Sequence, residues 1–164
     1  CKKIVMMAGH KDNPFSESRI EAYQKVLKEY NIPFEEKNLL YGNFWDWPTR
    51  VSFTEYLESG NDLPQAVICA NDTMAMTVCS VLNDFGYQVP EDVIVTGFDG
   101  TLSGKNYFPS LTTCEPDYSD AIKNILDEIE TVESTKTISP YNDGIDFVLS
   151  EFFKKLVSTH IVCA

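Results

Sequence analysis

Ala66-Val67-Ile68-Cys69-Ala70-Asn71-Asp72 is an apolar run that stops abruptly at an amide and an acid, and a helical pattern follows it. A near-echo comes at Asp92-Val93-Ile94-Val95-Thr96-Gly97-Phe98-Asp99-Gly100. Short apolar runs bounded by turn signals fit strands buried on both faces. In open α/β folds, ligands bind outside the carboxyl ends of such strands. The two strand ends therefore place a polar, acid-containing rim at an expected crevice, with no nucleophile or metal cage in view.

Outward from these runs the same rhythm repeats. Ile4 to Ala8 reads as a first strand ended by Gly9, and Ser16-Glu17-Ser18-Arg19 opens a helix carrying Ile20, Tyr23, Val26, Leu27 and Tyr30. Leu39 to Tyr41 reads as a second strand. After an expected turn at Trp45-Asp46-Trp47-Pro48, a second helix carries Val51, Phe53, Tyr56 and Leu57 to Gly60. Met74, Met76, Val78, Val81 and Leu82 mark a third helix, and Val93 to Thr96 a fourth strand. A βαβαβαβ order with short links predicts an α/β fold: an open, mostly parallel sheet with helices on both faces, a Rossmann-like three-layer α/β/α arrangement.

Beyond it the pattern changes. Thr101 to Pro109 reads as a polar and aromatic loop, Leu111 to Cys114 as a strand, Tyr118 to Val132 as a helix, and Ile145 to Leu149 as another strand. One lobe is thus expected over residues 1–110 and a crossover segment with the remnant of a second over 111–150; residues 151–164 stay unassigned.

Composition narrows the function. The 164 residues suffice for a sizeable core, and a hydrophobic content of 43% is globular. A formal net charge of −12 argues against this segment gripping a phosphate backbone, which is held by Lys and Arg. Five cysteines at irregular spacing include no CxxC pair, so a reducing, cytoplasmic setting is expected, with Cys69 and Cys79 as small core residues. No apolar run approaches the length of a membrane span. A chain that runs from Cys1 straight into a strand is expected to be part of something longer.

Each candidate residue has two readings. Asn71 and Asp72 suit either ligand hydrogen bonds or helix capping; the preferred division gives Asp72 the cap and Asn71 the ligand. Asp99 could accept two hydroxyl hydrogen bonds or close an Asx turn. Arg19, expected in the first turn of its helix where the dipole disfavours a cation, is either a surface partner of Glu17 or a fork-shaped donor over the crevice. Phe44, Trp45 and Trp47 offer faces for stacking on sugars or nucleobases, with at least one Trp expected as a hydrophobic plug. His10 has no partner at metal spacing. The glycines form no phosphate cradle, and no HExxH or EF-hand occurs. The reading is a binding domain rather than an enzyme, with no cofactor and no metal.

Taken together, these residues resemble a known group. The chain is similar to the ligand-binding domain shared by the lactose/galactose repressor (LacI/GalR) family of transcriptional regulators and the ribose-type periplasmic sugar-binding proteins. The resemblance lies in Ser18-Arg19-Ile20-Glu21-Ala22-Tyr23, Cys69-Ala70-Asn71-Asp72-Thr73-Met74-Ala75, Val89-Pro90-Glu91-Asp92-Val93, Gly97-Phe98-Asp99-Gly100 and Pro109-Ser110-Leu111-Thr112-Thr113. It covers residues 1 to about 130 and implies two α/β lobes joined by three crossovers, of which this chain is the C-terminal one. By that resemblance ligand contacts fall on Arg19, Phe44, Asn71 and Asp99; Asp72 and Trp45 are further candidates from their own places just past strand ends. The ligand would be a sugar, a purine or a similar polar metabolite; the alternative readings are a sensor domain of another signalling protein, a transport sugar-binding protein, or a small α/β enzyme on a similar sheet. The rest of the N-terminal lobe and a DNA-binding headpiece would lie outside this chain, and the full-length protein would be a homodimer. Cys114-Glu115 stands where the family often carries Gln after the Thr pair.

Overall fold

The computed structural model describes residues 1–120 and 122–126. They belong to two units, Cys1–Glu115 and Pro116–Ala164. In the first, five strands alternate with helices: β1 (Ile4–Ala8), α1 (Pro14–Glu29), β2 (Leu39–Tyr41), α2 (Asp46–Glu58), β3 (Ala66–Cys69), α3 (Asp72–Asp84), β4 (Ile94–Phe98), the short α4 (Leu102–Lys105) and β5 (Thr112–Cys114). The strand order is β2-β1-β3-β4-β5, and every pair is parallel. The expected parallel α/β sheet is therefore present.

Side-chain alternation along β1 explains why it lies inside the sheet. Val5 and Met7 pack with Phe53, Tyr56, Met74, Val78 and Leu82 on the α2–α3 side. Met6 and Ala8 join Tyr23 and Leu27 of α1 on the other. A strand with two apolar faces is stable only between two helical layers. Cys69 and Cys79 lie in the first cluster as expected. Burial pushes the Cys69 thiol well up and that of Cys79 to about 11, so both remain inert thiols near neutral pH.

Three element starts differ from the sequence expectation, each for a local reason. Helix α1 begins at Pro14: Asn13 Oδ1 accepts from the Phe15 amide at 2.9 Å, and Pro14 takes the first helical position, where its missing N–H costs nothing. Trp45-Asp46-Trp47-Pro48 is not a turn but the cap and first turn of α2, which tolerates a proline. The expected loop after β4 contains α4, capped by Thr101, whose Oγ1 accepts from the Gly104 amide at 3.1 Å.

In the second unit, Ser119, Asp120 and residues 122–126 are helical, and the Asp117 carboxylate accepts from the Ser119 amide at 2.9 Å. The rest of the helix expected to Val132, the strand expected at Ile145 to Leu149 and the tail from residue 151 lie outside the described residues. Among the described residues no helix is long and apolar enough to cross a membrane.

Candidate ligand-binding rim

Register sets the site. Met7 pairs with Leu40 and with Cys69, Ile68 with Thr96, and Phe98 with Cys114, so the strands end along one edge. The strand order reverses direction around β1 and β3, which is the topological switch point where open sheets bind ligands. Arg19 follows β1, Phe44 follows β2, Asn71 follows β3 and Asp99 follows β4.

Direct contacts join Arg19, Phe44 and Asn71, and Asp99 lies within electrostatic reach of Arg19. The Arg19 guanidinium lies 4.8 Å from the Phe98 ring centre and 5.9 Å from that of Phe44, and its Nη1 donates to the Phe15 carbonyl at 3.0 Å. Cation–π contact on two rings holds the planar fork in place. Because α1 starts at Pro14, Arg19 sits in its second turn rather than its first, where the dipole penalty has largely faded. Phe44 adopts a left-handed backbone, φ 63°, directly after Asn43 at φ 53°. Gly9 admits its ring, since a Cβ there would overlap the ring's outer carbons. The Phe44 carbonyl accepts from Asn71 Nδ2 at 3.1 Å.

The expected division between Asn71 and Asp72 does not hold: the cap falls to Asn71, and Asp72 takes neither the cap nor a place on the edge. Asn71 caps α3, its Oδ1 accepting from the Met74 amide at 2.8 Å. Asn71 still keeps one amide N–H beyond its bond to Phe44. Asp72 is not the cap but the first helical residue, fully buried at 0% exposure. Its Oδ2 accepts from the Thr101 amide at 2.6 Å and the Thr101 hydroxyl at 2.8 Å, and its Oδ1 accepts from the Thr113 hydroxyl. Asp72 thus presents nothing to the open edge, a correction to its place on the expected rim.

Asp99 does stand at that edge, with its side chain exposed and its backbone at φ 106°, a conformation L-residues rarely adopt. Its amide donates to the Cys114 carbonyl at 2.9 Å, continuing the β4–β5 ladder. Neighbouring protein crowds water away from one side of its carboxyl and raises its pKa; the charge of Asp72 adds to the rise and Arg19 opposes it. Trp45 and Trp47 are 68% and 69% exposed, so neither is the expected plug; Phe44, partly buried, is the ring packed against the core. His10 is exposed. Among the described residues, no three His, Cys, Asp or Glu side chains could hold a metal ion. A separate hollow of about 410 Å³, lined by Gln24, Lys28, Asn31, Ile32, Pro33 and Phe34, lies at the other end of α1.

The family described as the periplasmic binding protein-like domain matches residues 1–133. The chain belongs to that family. Within it, the domain is of the LacI/GalR type. It is 33% identical over 140 residues to the HTH-type transcriptional repressor PurR of Vibrio vulnificus, covering 83% of this chain and 42% of that protein. A solved LacI-family sugar-binding transcriptional regulator from Escherichia coli, complexed with phosphate, superposes with a TM-score of 0.76 at 26% identity, over 86% of this chain and 50% of that one. The transcriptional regulator CelR in complex with cellobiose shares the fold at a TM-score of 0.74 and 24% identity, over 85% of this chain and 42% of that one. The domain thus spans less than half the length of the curated relative it matches.

Sequence reasoning missed four residues that support this candidate edge: Gly9, Phe98, Thr101 and Thr113. Thr101 had a readable signal, a cap-type residue after Gly100. Thr113 had none, because its partner lies 41 positions away.

Proposed function

We propose that this chain is one lobe of a small-molecule sensing domain in a longer transcriptional regulator, and that its ligand carries a sugar ring, free or within a nucleoside. The carrying observation is the convergence of Arg19, Phe44, Asn71 and Asp99 on one edge of the sheet at its switch point. The rim combines a stacked guanidinium fork, an exposed carboxylate and a spare amide N–H, with Trp45 open to solvent beside them. Ring hydroxyls need such paired donors and acceptors, while aromatic faces suit the apolar faces of a sugar. The names of its relatives support the regulatory half: they are repressors and regulators, one solved with cellobiose. Ligand would favour one arrangement of a two-lobed domain and so change DNA binding by a headpiece elsewhere in a homodimer.

Calorimetry on the full-length protein against monosaccharides, disaccharides and nucleosides tests this. One class should bind, and Arg19→Ala or Asp99→Asn should weaken it roughly 10- to 150-fold, the worth of a hydrogen bond to a charged group. Failure of every sugar-bearing compound to bind, or binding indifferent to both substitutions, would overturn the reading.

A further inference from the structure

We infer that Asp72 is the positioning residue of the rim: its buried carboxylate ties the loop after β4 to β5 and so holds Asp99 in the backbone conformation that presents it to ligand. The inference rests on the proposed binding role of Asp99 and adds a residue that never touches ligand.

Three segments meet at this one side chain. Asp72 enters from the start of α3, Thr101 lies two residues past Asp99, and Thr113 stands in β5 opposite Gly97. Both carboxylate oxygens are used, one by the amide and hydroxyl of Thr101 and the other by the Thr113 hydroxyl. Thr113 Oγ1 in turn accepts from the Gly100 amide at 3.3 Å. The Asp99 amide is held by the Cys114 carbonyl. Asp99 and Gly100 are therefore clamped from both sides, by β5 directly and by Asp72 through Thr101 and Thr113.

Glycine placement shows how closely the clamp is built. A Cβ on Gly97 would overlap Asp72 Oδ1, and one on Gly104 would come within 3.1 Å of Oδ2. A Cβ on Gly100 would lie 2.6 Å from that of Glu115. The chain has left room for the carboxylate where larger residues would expel it. A conformation such as that of Asp99 persists only when its surroundings over-determine it. Charge-assisted bonds to a fully buried carboxylate supply that determination. The influence of Asp72 on the Asp99 carboxyl agrees with this closeness.

Amide hydrogen exchange on the full-length protein without ligand tests the clamp. In Asp72→Ala, the Thr101, Gly100 and Asp99 amides should all exchange at least about tenfold faster while β1 and β3 stay protected. Acceleration confined to Thr101 would overturn the inference, since Asp72 would then fill space locally and position nothing. Should Asp72→Ala fail to fold, Thr113→Val and Thr113→Ser decide. Valine should free the Gly100 and Asp99 amides and weaken a sugar-bearing ligand about tenfold, and serine, which keeps the hydroxyl, should restore both. No change with valine, or equal loss with serine, would overturn the clamp. A wild-type protein that binds no ligand would refute the sensing role, while the exchange data would still decide the clamp.

Discussion

Asp99 combines two unusual properties at one exposed position: positive φ and a carboxyl whose pKa lies above the ordinary value. A raised folded-state pKa means that the folded protein binds this proton more tightly than the unfolded chain does. Its contribution to stability is full below the usual carboxylate pKa of about 3.9 and is lost as pH rises through the folded value. Asp99→Asn removes that titration. In urea denaturation its midpoint relative to wild type should be higher at about pH 7 than at about pH 3, where both side chains are neutral. A difference that stays constant with pH would show that the charge carries no penalty. Comparing the two pH values also cancels the pH-independent preference of Asn for left-handed backbone.

At the scale of elements, the end of β3 carries most of the assembly. Asn71 caps α3 through Oδ1 and braces the Phe44 carbonyl through Nδ2, joining the ends of β2 and β3. Asn71→Ala should cost about 0.5–2 kcal/mol in chemical denaturation, the usual loss for a cap. Asn71→Asp keeps the acceptor and should retain most of that stability, yet weaken ligand because the brace on Phe44 and the spare N–H are gone. Equal stability loss in both variants would place the contribution in the brace rather than the cap. The strands were legible because a continuous apolar run needs burial on two faces, and helix existence was legible from periodicity. The division between Asn71 and Asp72 was not, because both types cap well and only the distant Thr101 and Thr113 decide which one turns inward. The Trp residues misled for a similar reason. Large aromatics usually pack, and their exposure follows from α2 starting at Asp46, which places both in its cap and first turn.

For the whole chain, the net charge of −12 acts against compactness. Raising salt from about 0.01 M to 0.5 M shortens the screening length from roughly 30 Å to a few Å and should raise the melting temperature by a few degrees. A fall would mean that ion pairs such as Arg50–Asp84, at 2.7 Å, outweigh the excess of like charge. The order β2-β1-β3-β4-β5 could not be read from periodicity, because pairing between distant segments leaves no local mark. It has a consequence for how the rim comes into being. Ile4 pairs with Ala66, Met6 with Leu39 and Ala66 with Ile94, so each rim residue hangs on a strand with a neighbour from well along the chain. Such non-local topologies close late and slowly. A partly formed sheet has no rim, and a ligand for it would bind only the finished fold, stabilising it by mass action. Sensing and folding would then draw on one cooperative event, so that the ligand would also report how much of the chain has folded.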